Sequence, residues 1–143
     1  MNSIIHTTGA ILAINTSFYN AFRTNNFAEM NKLWAHQAEV FCMHPGARLI
    51  VGRDEVLNSW KNILNTETNL DIRFLYPHVC IQGKTAWVTG YEFFFSTTLA
   101  ATNIFVNEKE NWRVALHQAG KCEETREEIE KLFQKKKSIT ALN

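Results

Sequence analysis

The chain has 143 residues, enough for one domain, and its 15 basic and 14 acidic residues leave a net charge of +1. A domain of this size can bury a core that needs neither a disulfide nor a structural metal. The basic residues form no sustained stripe, which disfavours nucleic acid as a partner, and no apolar run reaches the ~20 residues that span a membrane. An odd number of cysteines (Cys42, Cys80 and Cys122) indicates reduced thiols. We therefore expect a soluble, cytoplasmic protein.

Two helices begin the chain. Apolar residues recur at intervals of three and four along 8–23, which predicts an amphipathic helix there. Asn26, followed three residues later by Glu29, resembles a capping box and starts a second, shorter helix. The buried stripe of that helix would contain Met30, Leu33 and Trp34.

A strand, a turn, a second strand and a helix follow. The β-prone run 40–43 must end at Pro45, because proline has no backbone donor for a strand ladder. Gly46 allows the chain to reverse into a short strand at 49–51. Apolar residues then return to helical spacing, which predicts a third helix ending near Leu64.

From Leu70 the apolar period changes to two, which is typical of strands. Pro77 predicts a bulge or bend in the first of them. A break is expected near Leu99 and Ala100. The remaining strands are expected at 85–98, 101–106 and 111–119.

The strand predicted at 85–98 is mostly apolar on both faces, whereas a sheet with a solvated face would alternate apolar and polar residues. Three helices can cover one face only. A second copy of the sheet is the simplest cover for the other face, which would make a homodimer through the sheet. The competing cover is a C-terminal helix, whose start is marked by Thr125 and Glu128 as a further capping box.

Several short motifs occur in a fixed order: Trp34, Cys42-Met43-His44-Pro45-Gly46, Val51-Gly52-Arg53, Ala86-Trp87-Val88-Thr89 with Glu92, Ala100-Ala101-Thr102-Asn103, and Trp112-Arg113-Val114 with His117. This set resembles the SnoaL-like domains of the nuclear transport factor 2-like superfamily, which also contains ketosteroid isomerase. The resemblance covers about 8–120, so 121–143 would be a C-terminal helical extension of a single domain spanning 1–143. It implies an α+β fold, in which a cone-shaped barrel of strongly curved antiparallel sheet packs against about three N-terminal-half helices around a pocket, commonly as a dimer.

The chain departs from this group in one respect that concerns metals. The final strand of the group often carries a run of histidines, whereas the stretch here is Leu116-His117-Gln118. Cys42 and His44 could begin a metal site, but no second ligand pair follows at useful spacing. We therefore expect a packed thiol beside a fixed turn, with neither a metal nor a cofactor. The catalytic acid and tyrosine of ketosteroid isomerase cannot be placed on this chain by motif.

Three polar residues in the predicted strands are catalytic candidates. Glu92 is a carboxylate in an apolar strand, where burial would raise its pKa toward the range of a general acid or base. His117 could assist, and Asn103 could donate a hydrogen bond to a developing oxyanion. Each also has a structural interpretation: a glutamate bonded to a tyrosine, histidine or arginine, a core histidine, and an asparagine that locks a neighbouring strand or loop.

Four further residues are candidates for ligand binding: Trp60, His44, Trp34 and Arg113. We place Arg113 on the same strand face as His117, where the small neighbours Ala115 and Ala119 leave room for a ligand. The tryptophans are more often core residues than a stacking cage, although Trp60 could serve as both.

Two functions remain open at this point. The first is a pocket protein that binds a small apolar carbonyl compound and isomerises, cyclises or hydrates it by cofactor-independent acid–base chemistry, with Glu92 moving the proton. The second is a non-catalytic ligand-binding or association module on the same fold.

Overall fold

The structure of the protein is a computed structural model that describes residues 7–142, with side chains as far as residue 138. In that range the chain forms α1 (Thr8–Arg23), α2 (Phe27–Leu33), β1 (Phe41–Met43), β2 (Ile50–Val51), α3 (Arg53–Leu64), β3 (Arg73–Gln82), β4 (Thr85–Phe94), β5 (Thr97–Glu108), β6 (Asn111–Cys122) and α4 (Arg126–Leu142). This order confirms the predicted α+β class, with three helices in the N-terminal half and one at the C-terminal end. No helix in the described part is long and apolar enough to cross a membrane.

One six-stranded sheet in the order β2-β1-β6-β5-β4-β3 forms the body of the fold. It is open, with β2 and β3 at its edges. The prediction of an antiparallel sheet is correct for every strand pair except one, because β1 runs parallel to β6. The long antiparallel pairs among β3, β4, β5 and β6 supply the surface on which α1 lies.

Helix α1 begins where predicted, with the Thr7 hydroxyl accepting a hydrogen bond from the backbone amide of Ala10. Its buried face includes the apolar side chains Ile11 and Phe18. The same face also carries two polar groups, Asn15 and Tyr19. Because this face lies against the sheet, α1 brings those polar groups into the interior.

Hydrogen bonds from one arginine, Arg53, join the end of α2 to the start of α3. Asn26 caps α2 by accepting from the backbone amide of Glu29 at 3.1 Å, as the capping-box pattern predicts. Arg53, the first residue of α3, donates to the backbone carbonyls of Trp34 at 2.9 Å and Ala35 at 3.0 Å. A planar guanidinium can bond several acceptors at once, so this side chain fixes the end of α2 against α3.

A register shift within β3 and the turn between β4 and β5 test two of the sequence predictions. The register of β3 against β4 shifts between Leu75 and His78, which confirms the bend expected at Pro77. The break expected near Leu99 is wrong, because β4 ends at Phe94 and Leu99 pairs with Glu92 inside β5. The turn lies instead at Phe95, which has a φ of 53° and is 79% exposed. Because Phe95 is apolar, the pattern of apolar residues continues through the turn and does not reveal its position.

A β-bulge in β6 changes which residues face the interior. Ile104 pairs with Leu116 and Phe105 pairs with Val114, so Ala115 is an extra residue in β6. Val114 and His117 are therefore both buried although an odd number of positions separates them. Arg113 alternates with Val114 and points to the other face, which corrects the prediction that Arg113 shares a face with His117. Strict alternation fails across a bulge.

Helix α4 packs on the outer face of the sheet. The ring of Phe133 stacks on Tyr76 with centroids 4.2 Å apart, and the Arg126 guanidinium lies 5.2 Å from the centre of the Phe93 ring. Ile129 of α4 is also buried. The C-terminal helix therefore covers the part of the outer face formed by β3 and the end of β4.

Candidate active site

A cavity of about 190 Å³ lies on the inner side of the sheet. Most of its walls are apolar, and its ionisable groups are two histidines and one glutamate. No lysine or arginine is among its lining residues. These are Phe22, His44, Pro45, Ile63, Leu70, Ile72, Glu92, Phe94, Leu99 and His117.

Glu92 is the carboxyl group of this cavity. Strand β4 carries it at a position that is 1% exposed, and its Oε2 accepts a hydrogen bond from the Tyr19 hydroxyl at 2.5 Å. Burial raises the pKa of Glu92 to about 7, and the hydrogen bond from Tyr19 limits that rise. Burial, with the nearby Glu92 as a second cause, raises the pKa of Tyr19 well above its usual value. Tyr19 therefore remains a donor while Glu92 can exchange a proton near neutral pH.

Asn103 connects α1 to the last strand. Its Nδ2 donates to Asn15 Oδ1 at 2.9 Å and to the Tyr19 oxygen at 3.1 Å. Its Oδ1 accepts from His117 Nδ1 at 2.6 Å. Both amide hydrogens are therefore used inside the network, and the direction of each bond is determined, since the Tyr19 hydrogen is given to Glu92.

This network determines the tautomer of His117. Burial, followed by the nearby His44, lowers the pKa of His117 to about 3, so the imidazole is neutral. Because Nδ1 donates its hydrogen to Asn103, Nε2 carries a free lone pair. Nε2 lies 3.8 Å from Glu92 Oε2, which is too far for a hydrogen bond. With the histidine neutral, the pair is not a salt bridge.

His44 lines the same cavity on the side of α3. Its Nε2 is 3.0 Å from the Ser59 oxygen, and Ser59 donates its own hydrogen to the Val56 carbonyl at 2.7 Å. The His44 Nε2 must therefore be the donor in that pair. Burial lowers the pKa of His44 and raises the pKa of the adjacent Cys42 thiol to about 12. Cys42 is thus an un-ionised thiol, which is a poor nucleophile.

The position of Tyr19 depends on a glycine in β4. A Cβ on Gly90 would lie 2.7 Å from the Phe74 ring, so the absence of a side chain leaves room for that ring. The Phe74 ring stacks on Tyr19 with centroids 4.8 Å apart. The Phe74 ring therefore packs against Gly90 on one side and Tyr19 on the other, and Tyr19 bonds to Glu92.

The structure brings together the three residues that the sequence suggested for catalysis, with Glu92 and His117 in the cavity wall and Asn103 behind them. Of the four suggested ligand-binding residues, His44 alone lines the cavity. Trp60 is fully buried behind it, with its ring 4.9 Å from that of His44. Two of the four lie elsewhere: Trp34 packs on Phe18, and Arg113 donates to the Lys32 carbonyl.

Sequence reasoning missed Asn15 and Tyr19 as members of this site. Tyr19 was counted as part of an apolar helical stripe. Asn15 was the available signal, because an asparagine four residues from both Ile11 and Tyr19 lies on the buried side of an amphipathic helix.

The described residues contain no cluster of three or more His, Cys, Asp or Glu side chains that could hold a metal ion.

An α+β fold with this order of helices and strands is that of the NTF2-like class. Residues 11–120 match the family model of the SnoaL-like domain. The chain therefore belongs to the SnoaL-like domain family, as the motif order predicted.

Known proteins similar to this chain carry several different descriptions. F-box protein SKIP8 of Arabidopsis thaliana is 30% identical over 113 residues, which are 78% of this chain and 49% of that protein. The chain thus spans about half the length of this curated relative. A solved structure of a proposed dehydratase from the NTF2-like family of Streptomyces avermitilis is 30% identical, with a TM-score of 0.71 over 78% of this chain and 93% of the other.

Two other solved structures have related folds. A proposed calcium/calmodulin-dependent protein kinase type II association domain from Thiobacillus denitrificans is 25% identical, with a TM-score of 0.72 over 78% of this chain and 94% of the other. A proposed ketosteroid isomerase from Parabacteroides distasonis is 12% identical, with a TM-score of 0.63 over 79% of this chain and 86% of the other. The last similarity shows the fold alone.

Proposed function

We propose that this protein binds a small neutral carbonyl compound in the cavity and that Glu92 transfers a proton on it, in an isomerisation or cyclisation that needs no cofactor. The observation that carries this proposal is a buried carboxyl group, with a pKa of about 7, in the wall of an apolar cavity. A general base is most effective when its pKa lies near the working pH. The descriptions of the similar dehydratase and isomerase are consistent with such chemistry.

The cavity volume limits the size of the compound. An apolar cavity of about 150 Å³ accepts benzene. The volume of about 190 Å³ found here therefore suits a single-ring or short-chain molecule of roughly eight to ten non-hydrogen atoms.

The charge of the cavity wall limits the compound further. With no lysine or arginine among the lining residues, a carboxylate or phosphate on the ligand would have no cationic partner. Burying such an unpaired charge is costly, and an ionised Glu92 would repel it. A neutral ligand is therefore favoured.

The proposed reaction assigns a role to each polar residue. As a carboxylate, Glu92 would take a proton from the carbon beside the carbonyl and return it to another carbon, which moves a double bond. In a cyclisation, the same proton would be returned to the product after the new carbon–carbon bond forms. Tyr19 holds one carboxyl oxygen in place by its hydrogen bond of 2.5 Å. Asn103 acts as a positioning residue, because both of its amide hydrogens are occupied.

The test is the isomerisation of β,γ-cyclohexenone to its conjugated isomer, followed by ultraviolet absorbance. The wild-type protein should accelerate the reaction, and Glu92→Gln should abolish the acceleration while the ketone still binds. A Glu92→Gln protein that retains full turnover would refute the role of Glu92. Ile63→Val, a conservative change in the same cavity wall, is the matched control and should keep most of the activity.

Association of two copies is a second proposed function, carried by the outer face of the sheet. Pairing places Cys80, Trp87, Ile104, Leu116 and Phe41 in one row across five strands. These five apolar side chains are half-buried, and α4 contacts the sheet at other positions. A second copy packing on this row would bury it, and the similarity to a proposed association domain is in keeping with that arrangement.

Sedimentation analysis tests the association. We expect a dimer for the wild-type chain and a monomer for Ile104→Glu, which places a charge at the centre of the row. A wild-type monomer at high micromolar concentration would refute the dimer.

A cytoplasmic location remains a prediction, and the free thiols of all three cysteines fit a reducing compartment.

A further inference from the structure

We propose that the cavity selects carbonyl compounds that also carry a hydroxyl group close to the carbonyl, because His117 presents an unprotonated nitrogen to the ligand. This inference rests on the proposed function, since it names the ligand class of the same cavity. It concerns recognition, and it assigns to His117 the role of a specificity-determining residue.

The hydrogen bonds behind the ring fix the tautomer of His117. Asn103 can only accept from His117 Nδ1, because both hydrogens of its amide are donated to Asn15 and Tyr19. The neutral imidazole therefore keeps its hydrogen on Nδ1, and the lone pair of Nε2 is held in one direction by three hydrogen bonds behind the ring.

Nε2 of His117 has no hydrogen-bond partner among the residues that the structure describes. Glu92 Oε2 lies 3.8 Å from it, beyond hydrogen-bond distance. His117 is 1% exposed and lines the cavity, so a ligand is the group that can satisfy this acceptor. The matching ligand group is a hydrogen-bond donor, and among neutral oxygen groups that means a hydroxyl.

The two polar groups of the cavity wall, on His117 and Glu92, lie close to each other. Nε2 of His117 and Oε2 of Glu92 are 3.8 Å apart. A ligand whose hydroxyl donates to Nε2 and whose carbonyl accepts from the protonated Glu92 carboxyl therefore needs those two oxygens close together. A hydroxyl on the carbon next to the carbonyl, or one carbon further away, meets this requirement.

A bare ketone would leave Nε2 unpaired and desolvated after binding. Leaving a buried acceptor unsatisfied costs enough to reduce affinity by roughly tenfold. The affinity should therefore depend on whether the ligand has a hydrogen-bond donor, and not on the size of the ligand.

The binding experiment uses three single-ring ketones: acetophenone, α-hydroxyacetophenone and propiophenone, the last of which has a methyl group in place of the hydroxyl. Affinities are measured by calorimetry at mildly acidic pH, where Glu92 is protonated. We expect α-hydroxyacetophenone to bind roughly tenfold more tightly than the other two. In His117→Phe this preference should disappear while acetophenone binding changes little, and in the Tyr91→Phe control, on the outer face of the sheet, the preference should persist.

The possible results separate this inference from the proposed function. If the three ketones bind with equal affinity, the hydroxyl preference is refuted, but the carbonyl-binding cavity and the role of Glu92 stand. If none of the three binds, both are refuted. Nitrogen-15 NMR of the histidine rings gives an independent test that needs no ligand: a hydrogen on Nε2 of His117 would overturn the inference.

Discussion

Tyr19 and Glu92 are joined by a hydrogen bond of 2.5 Å although 73 positions separate them in the chain. The hydroxyl stabilises the ionised carboxyl group, whereas burial favours the protonated form. The balance of these two effects keeps the pKa of Glu92 near neutrality, and each effect can be altered by a separate substitution.

Removing the Tyr19 hydroxyl should raise the pKa of Glu92. Tyr19→Phe takes away the hydrogen bond that favours the carboxylate and leaves the burial unchanged, so we expect an increase of about one unit. The pH at which ketone isomerisation reaches half its maximum should move upward by the same amount. Tyr91→Phe is the control, because Tyr91 lies on the outer face of the sheet. A Tyr19→Phe profile identical to wild type would contradict the assignment.

Glu92 should make the folded state less stable as the pH rises. Its pKa is raised from 4.5 to about 7, so between these values the unfolded chain releases a proton that the folded chain retains. The free energy of unfolding therefore falls across this window, by an amount on the order of 3 kcal/mol. His117, lowered from 6.5 to about 3, acts in the opposite direction: its contribution is lost as the pH falls from 6.5 toward 3. The two slopes partly cancel in the wild type.

Urea unfolding at a series of pH values separates these two contributions. Glu92→Gln removes the glutamate slope, so its stability relative to wild type should increase between pH 4.5 and about 7 and then level off. Glu127→Gln, on the exposed side of α4, should show no such trend. A constant difference between Glu92→Gln and wild type across this range would contradict the raised pKa.

Adding a methyl group at Gly90 should displace the Phe74 ring, which supports Tyr19. Gly90→Ala would place a Cβ 2.7 Å from the Phe74 ring and 3.0 Å from the Leu75 carbonyl, so ring or backbone must shift. Overpacking of this kind costs about 1–3 kcal/mol of stability. Because Phe74 stacks on Tyr19, we also expect reduced turnover. Gly120→Ala is the control, since a Cβ there meets no atom within 4 Å, and equal effects of the two substitutions in urea unfolding would refute the packing argument.

The contribution of α4 can be measured with two neighbouring residues. Phe133 stacks on Tyr76, whereas Leu132 is 60% exposed. Phe133→Ala should therefore lower the free energy of unfolding by about 1–3 kcal/mol, and Leu132→Ala should change it little. If both substitutions have the same small effect, α4 does not stabilise the sheet. The treatment of 121–143 as an extension of the domain remains a prediction.

Local patterns in the sequence were sufficient for the helices and for one bend. Periodic apolar residues located α1, Asn26 and Thr125 cap helices as their spacing suggested, and Pro77 marks the register shift of β3. These features depend on residues within a few positions of one another, so a single sequence contains the information.

Other features depended on contacts that the sequence does not display. The turn at Phe95 was missed because its side chain is apolar. Asn103 and Asn15 are 88 positions apart, so their pairing becomes visible only when α1 is placed on the sheet. The same holds for Tyr19 and Glu92. Sequence reasoning therefore found the polar groups of the strands and missed those that the helix contributes.

The bulge at Ala115 makes β6 tolerant of one particular change in length. Deleting Ala115 would leave Val114 next to Leu116, so that the strand becomes regular while Val114 and His117 still point inward. Inserting a residue anywhere between Leu116 and Gly120 would instead turn His117 or its neighbours toward the opposite surface. Length variation in β6 is therefore compatible with an intact cavity at Ala115 and incompatible with it only a few positions further along.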